Sequence, residues 1–170
     1  MAVLVPGNGM VLRSTGAGTG AAFGQSATVT GIPVVLQFYT LLTNLDTPAD
    51  IVTDFVMPFA GKVVSWQMVT RVVATSGGTA DADIDLQLGS TPITGAKKEG
   101  LTQTDFDAIG EVKAGGTITA ANTFAAGDTF SVVCTESATN FTAGAIDIYV
   151  YCIATELTGN MKTSGLLATS

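Results

Sequence analysis

The chain has 170 residues, no histidine, and seven Lys+Arg against fourteen Asp+Glu, for a net charge of −7. That length holds one domain with a real core and is short for two. Missing histidine removes the commonest general base and metal ligand, and an acidic body lacks the clustered Lys and Arg that a phosphate backbone requires.

The charge is unevenly placed. Residues 1–45 carry Arg13 alone, and 157–170 carry Lys162 alone, so nearly all charge lies between them. Charged residues are 12% of the chain, about half the usual share. Such a surface suits a subunit largely covered by partners; an all-β domain with a Thr-rich skin is the plainer alternative. The first residues, MAVLVPGNGMVL, have no basic lead and break at Pro6–Gly9, which is unlike a secretory signal. No apolar run approaches membrane-spanning length. The expectation is a soluble chain made in the cytosol, with neither nucleic acid nor membrane as partner.

Residues 1–33 show no helical period and no sustained alternation. Glycine, Ser and Thr surround two short apolar islands, Val3–Val5 and Met10–Leu12, and Phe23 follows. Either this is a disordered tail or an extended arm that orders on a partner. The near absence of charge favours the arm, with Val3, Leu4, Val5, Met10, Val11, Leu12 and Phe23 as its contact residues.

The body, residues 34–156, reads as strands. Val34–Leu42 is a β-branched and aromatic run, and Thr43–Asp50 is a turn cluster around Pro48. Ile51–Met57 is the next strand. In Ala60–Leu88, two alternating runs flank Ser76–Thr79. Val64, Trp66, Met68, Thr70 and Val72 share the dry parity of the first; Ala82, Ile84, Leu86 and Leu88 share that of the second. The one tryptophan, Trp66, is taken as the centre of the core. Were these two runs a direct hairpin, Arg71 would face Asp83; in a jelly roll, where consecutive strands change sheet, it would sit elsewhere.

Gly89–Gly95 reads as a turn or short edge strand. Leu101–Phe106 reads as one helical turn capped by Thr102 or Thr104. Ala108–Val112 and Thr117–Ala120 read as short strands, and Phe124–Asp128 as a turn with a left-handed glycine. Thr129–Thr135 and Ala145–Thr155 are the last strands, and 157–170 is a loose tail. About eight strands and almost no helix mean an all-β sandwich or barrel.

No residue set specifies a reaction. Asp81, Asp83 and Asp85 begin like a calcium loop, but its required glycine and glutamate positions fall on Leu86 and Pro92. They read as the solvated face of a strand, with a cation at a subunit contact as the alternative. Cys134 and Cys152 fall on apolar parities and read as reduced core thiols. No G-x-S-x-G elbow, S-x-x-K motif or phosphate loop is present. The chain is expected to be no enzyme and to need no cofactor. Tyr149 and Tyr151 share the wet parity of the last strand, as a subunit contact, a glycan platform or an amphipathic rim.

The runs VMPFAGKVVSW (Val56–Trp66) and NTFAAGDTFSVV (Asn122–Val133), with the alternating IDIYVYC of the last strand, resemble the small jelly-roll proteins that decorate or cement tailed-bacteriophage heads. The Ala-Gly-Asp corner before a strand is also similar to phage head-fibre and TNF-like β-sandwich domains. The resemblance covers residues 34–156. It implies a jelly-roll-like antiparallel β-sandwich with an extended N-terminal arm, assembled as a homotrimer. Its partner would be the major capsid protein and its location the outer capsid surface of the virion, after synthesis in the host cytoplasm. A receptor- or glycan-binding head-fibre domain is the alternative function.

Overall fold

The computed structural model describes residues 31–77, 81–137 and 141–156. Ten strands run through them: β1 (Ile32–Leu41), β2 (Ala49–Val56), β3 (Ala60–Ser76), β4 (Ala82–Leu88), β5 (Thr91–Pro92), β6 (Lys98–Leu101), β7 (Val112–Ala114), β8 (Thr123–Phe124), β9 (Thr129–Ser137) and β10 (Phe141–Glu156). They form two five-stranded sheets, all pairs antiparallel. Sheet I runs β1-β10-β3-β7 with β8 also on β3, and sheet II runs β2-β9-β4-β5 with β6 also on β4.

The first four strands alternate between the sheets, and the last two lie centrally, β9 between β2 and β4, β10 between β1 and β3. That winding is a jelly roll. It follows from the sequence pattern: each long strand has one apolar face, and crossing to the opposite sheet turns that face inward every time. β1 begins at Ile32, paired with Ala154, so the sandwich takes in the end of the stretch read as arm. The arm contact residues from Val3 to Phe23, and the 157–170 tail, lie outside the described residues.

The core draws on both sheets. Val63, Trp66, Met68, Ile146, Ile148, Val150 and Cys152 from sheet I meet Ile84, Leu86, Phe130, Val132 and Cys134 from sheet II. Burying one such large side chain contributes ~1.5–3 kcal/mol. Phe38 of β1 stacks on Phe130 at a 5.9 Å centroid distance and meets Phe55 edge-on at 5.3 Å, joining the sheets at one edge. The two cysteines are buried, lie in different sheets and form no disulfide with each other.

Trp66 is 3% exposed and belongs to this core, yet it also has a tethering role. Its Nε1–H donates to the Ala96 carbonyl at 2.9 Å, and its own carbonyl accepts the Gly115 N–H at 2.9 Å. A Cβ at Gly115 would come closer than 3 Å to indole atoms Cε2, Nε1 and Cδ2, so the chain can cross the ring here only as glycine. The indole thus pins the long β5–β8 excursion across the open side of the sandwich.

Several sequence expectations are corrected. Val64 and Val72 are exposed, because β3 is bulged. Against β10, Ser65 pairs with Tyr151 and Val63 with Cys152, which leaves Val64 unpaired; likewise Val72 pairs with Ala145 and Thr70 with Ile146, which leaves Arg71 unpaired. Each extra residue shifts the side-chain alternation by one. β3 and β4 form no hairpin but lie in opposite sheets. Thr117–Ala120 is not a strand and contributes one bridge, Thr94 to Ala120. The stretch around Leu101–Phe106 divides into β6 and a 3-10 turn at Gln103–Phe106. Thr102 precedes that turn, and Asp105 Oδ2 accepts its N–H at 2.8 Å. The Phe124–Asp128 corner has its left-handed glycine at Gly127, φ +94°.

Candidate functional site

Outward residues of sheet I form one broad surface, ordered by register. Across β1, β10 and β3 the rows are Pro33–Ile153–Lys62, Val35–Tyr151–Ser65, Gln37–Tyr149–Gln67, Tyr39–Asp147–Val69 and Leu41–Ala145–Val72. β7 extends two of them, with Ala114 beside Gln67 and Val112 beside Val69. Exposure is high at the apolar members: Tyr39 61%, Val112 55%, Val72 52% and Val35 51%. Free-standing sheets usually turn polar residues to water on this side. Here the outward face is mainly aliphatic, aromatic and amide.

Its charges are few. In these rows and the bulge beside them stand Lys62, Arg71 and Asp147. Arg71 Nε donates to Asp147 Oδ2, and Tyr149 Oη donates to the same oxygen at 3.3 Å. The Asp147 side chain is 3% exposed and the Arg71 side chain 56%. A carboxylate sunk in the sheet surface therefore holds a guanidinium across it; hydrogen bonding to Asp147 pushes the Arg71 pKa up, so Arg71 stays charged. The bulge that leaves Arg71 unpaired aims it at Asp147 rather than at Asp83.

Tyr149 and Tyr151 lie two residues apart on this face, as their parity requires, but both are half-buried rather than exposed. Neighbouring side chains from β1 and β3 flank them, and the Tyr149 hydroxyl is committed to Asp147. Sequence reasoning missed Val35, Tyr39 and the Arg71–Asp147 pair. One signal was available: β1 (IPVVLQFYTL) has no charged residue on either parity, so neither of its faces is marked for water.

Outer-face residues of sheet II differ in character: Asp81 is exposed, as the solvated-face reading expects, but for Asp83 and Asp85 that reading is overturned. Asp83 and Asp85 are each 7% exposed. The return through Lys97 and β6 covers them: Lys97 Nζ lies 2.8 Å from Asp83 Oδ2, and the Gly100 N–H donates to Asp83 Oδ1 at 2.9 Å. Asp85 Oδ1 accepts the N–H of Leu86 at 2.8 Å, and burial pushes its carboxyl pKa above the usual range. The alternation rule places these side chains outward; it cannot register that another segment folds over them. Among the described residues, no group of three or more His, Cys, Asp or Glu is placed to hold a metal ion. No helix among them is long and apolar enough to cross a membrane.

An open cleft at one end of the sandwich is lined by Leu88, Gly89, Thr91, Ala121, Thr123, Asp128 and Thr129. Asp128 Oδ2 accepts the Ala125 N–H at 2.7 Å, and Thr91, Thr123 and Thr129 add hydroxyls to the cleft.

No protein-family model and no curated protein matches the chain. Among solved structures, the chain is similar to the VP2 subviral particle of infectious bursal disease virus, at 11% identity and a TM-score of 0.24. The match covers 86% of this chain and 48% of the VP2 chain, so this chain spans about half the length of that one. A similarity of that size carries no functional argument.

Proposed function

We propose that the protein is a non-enzymatic structural component of a virus particle: a jelly-roll subunit that binds the outside of a tailed-phage capsid as a trimer and stabilises the head. The observation that carries this reading is the outward face of sheet I, broad, apolar and nearly uncharged on an otherwise acidic body. A face of that kind belongs to a protein that works by being covered. The stretch before β1, whose one charge is Arg13, supports the rest of the reading, as the arm that would lie over capsid protein. Three arms on one trimer engage together, so modest contacts gain from effective concentration. Binding to the mature shell then stabilises it by mass action.

The test is co-sedimentation with phage heads, comparing the full chain with one lacking residues 1–30. The expected result is a folded truncated protein that no longer binds. Undiminished binding by the truncated protein overturns the arm mechanism. Binding of glycans that Tyr151→Ala abolishes, without any binding to heads, would instead favour a head-fibre role.

A further inference from the structure

We infer that the outward face of sheet I is where copies of this chain meet, with Val35, Tyr39, Val72, Val112 and Tyr151 as its apolar contacts and the Arg71–Asp147 pair among them. The inference rests on the trimer in the reading above and specifies its contact surface.

Size is the first argument. The β1–β10 ladder is ten residues long. At ~3.3 Å per residue and ~4.8 Å between strands, the four strands present about 500 Å² in projection, and more as side-chain surface. Packed against an equal area of the neighbouring copy, such a face reaches the ~1,000 Å² that a specific protein interface needs.

Charge is the second. The chain carries −7, so two copies repel over most of their surfaces. Exposed carboxylates stand on sheet II, with Asp50 and Asp54 on β2 and Glu99 on β6. On sheet I, Asp147 is neutralised by Arg71, and Lys62 adds a positive charge at one end. This is the broad surface against which a second acidic copy can pack without bringing carboxylates together. A nucleic acid would need more cations than two, and a negatively charged partner gains little from a net charge of about +1.

Edge chemistry is the third. Among the described residues, β1 is an edge strand of sheet I, ten residues long and uncharged, with Pro33 as its sole interruption. Exposed edges are normally shortened, bulged or charged to prevent pairing. An edge without those protections, bordering an apolar face, is consistent with burial at a subunit contact.

Sedimentation equilibrium on the full-length protein tests the assignment. Wild type is compared with Val35→Glu and Tyr39→Glu on sheet I, and with Val56→Glu on sheet II as control, since Val56 is equally exposed at 59%. Burying an unpaired carboxylate at the contact should weaken self-association ~100-fold or more, while the control stays like wild type. Far-UV circular dichroism and Trp66 fluorescence check that each variant is folded. Hydrogen exchange on wild type needs no variant: amides of residues 34–41 should lose protection on dilution. A monomeric wild type overturns the assignment, as do sheet I variants that remain associated or protection that does not change with concentration. Head binding is scored in parallel. Dissociation of the sheet I variants with no head binding by wild type would leave this contact standing and remove the capsid reading; head binding by a monomeric wild type would remove this contact and the trimer and leave capsid binding alone.

Discussion

Gly115→Ala is the sharpest test of how the sandwich is closed. The new methyl would sit closer than 3 Å to three indole atoms of Trp66. The ring is 3% exposed and held by its bond to the Ala96 carbonyl, so it has little free space to enter. Forcing one extra carbon into a packed site costs ~1–3 kcal/mol. If the indole moves, its N–H and the Ala96 carbonyl lose each other, at ~1–3 kcal/mol more. Together the expected loss is ~2–6 kcal/mol, or a fall in Tm of roughly 4–24 °C for a domain of this size. Urea unfolding followed by the single tryptophan measures the variant directly. A double-mutant cycle with Trp66→Phe, followed by circular dichroism, isolates the cause. With the smaller ring the methyl has space, so Gly115→Ala should then cost under ~1 kcal/mol. A change within ~0.5 kcal/mol in wild type, or equal costs in both backgrounds, would refute the account.

Two further outcomes follow from buried groups. Asp85→Asn should stabilise the protein at pH 7. Burial raises the folded-state carboxyl pKa above its reference value of 3.8, so the charged form is penalised in the native state. That penalty is absent below pH 3.8 and sets in as pH rises through the folded-state pKa. The gain should therefore vanish in urea titrations near pH 3, and a destabilised variant at pH 7 would count against it. The Cys152 thiol, pushed up to about 11 by burial, should not react with a thiol reagent at pH 8 until the protein unfolds. Rapid labelling of native protein would show that the site opens locally.

The architecture was largely legible in the sequence, because period-two alternation and turn residues report directly on strands. β1, β2, β9 and β10 lie within a few residues of where the pattern puts them. Trp66 was correctly drawn into the core, but its tether to Ala96 depends on a contact 30 residues away that no local pattern encodes. Val64 and Val72 were misassigned because a bulge changes parity without changing composition. Asp83 and Asp85 were misassigned because exposure depends on what covers a face, here Lys97 and β6. The face of sheet I stayed hidden for a related reason. β1 is uncharged on both parities, and such a run reads as buried even where one side is bare.

The winding also fixes when the protein can fold. β1 and β2 are made early, yet each pairs with a strand made late: Leu41 with Ala145, and Val56 with Thr129. At roughly 5–20 residues per second, a ribosome leaves β1 without its partner for about 5–20 s. Through that interval the apolar edge of β1 is exposed to other nascent chains, while the sections β3–β8 can already assemble locally. Neither sheet is complete until β9 and β10 take their central places, β9 between β2 and β4 and β10 between β1 and β3. The strands that complete the core are therefore made after the strands they join, and the sandwich cannot close before β10 has been synthesised.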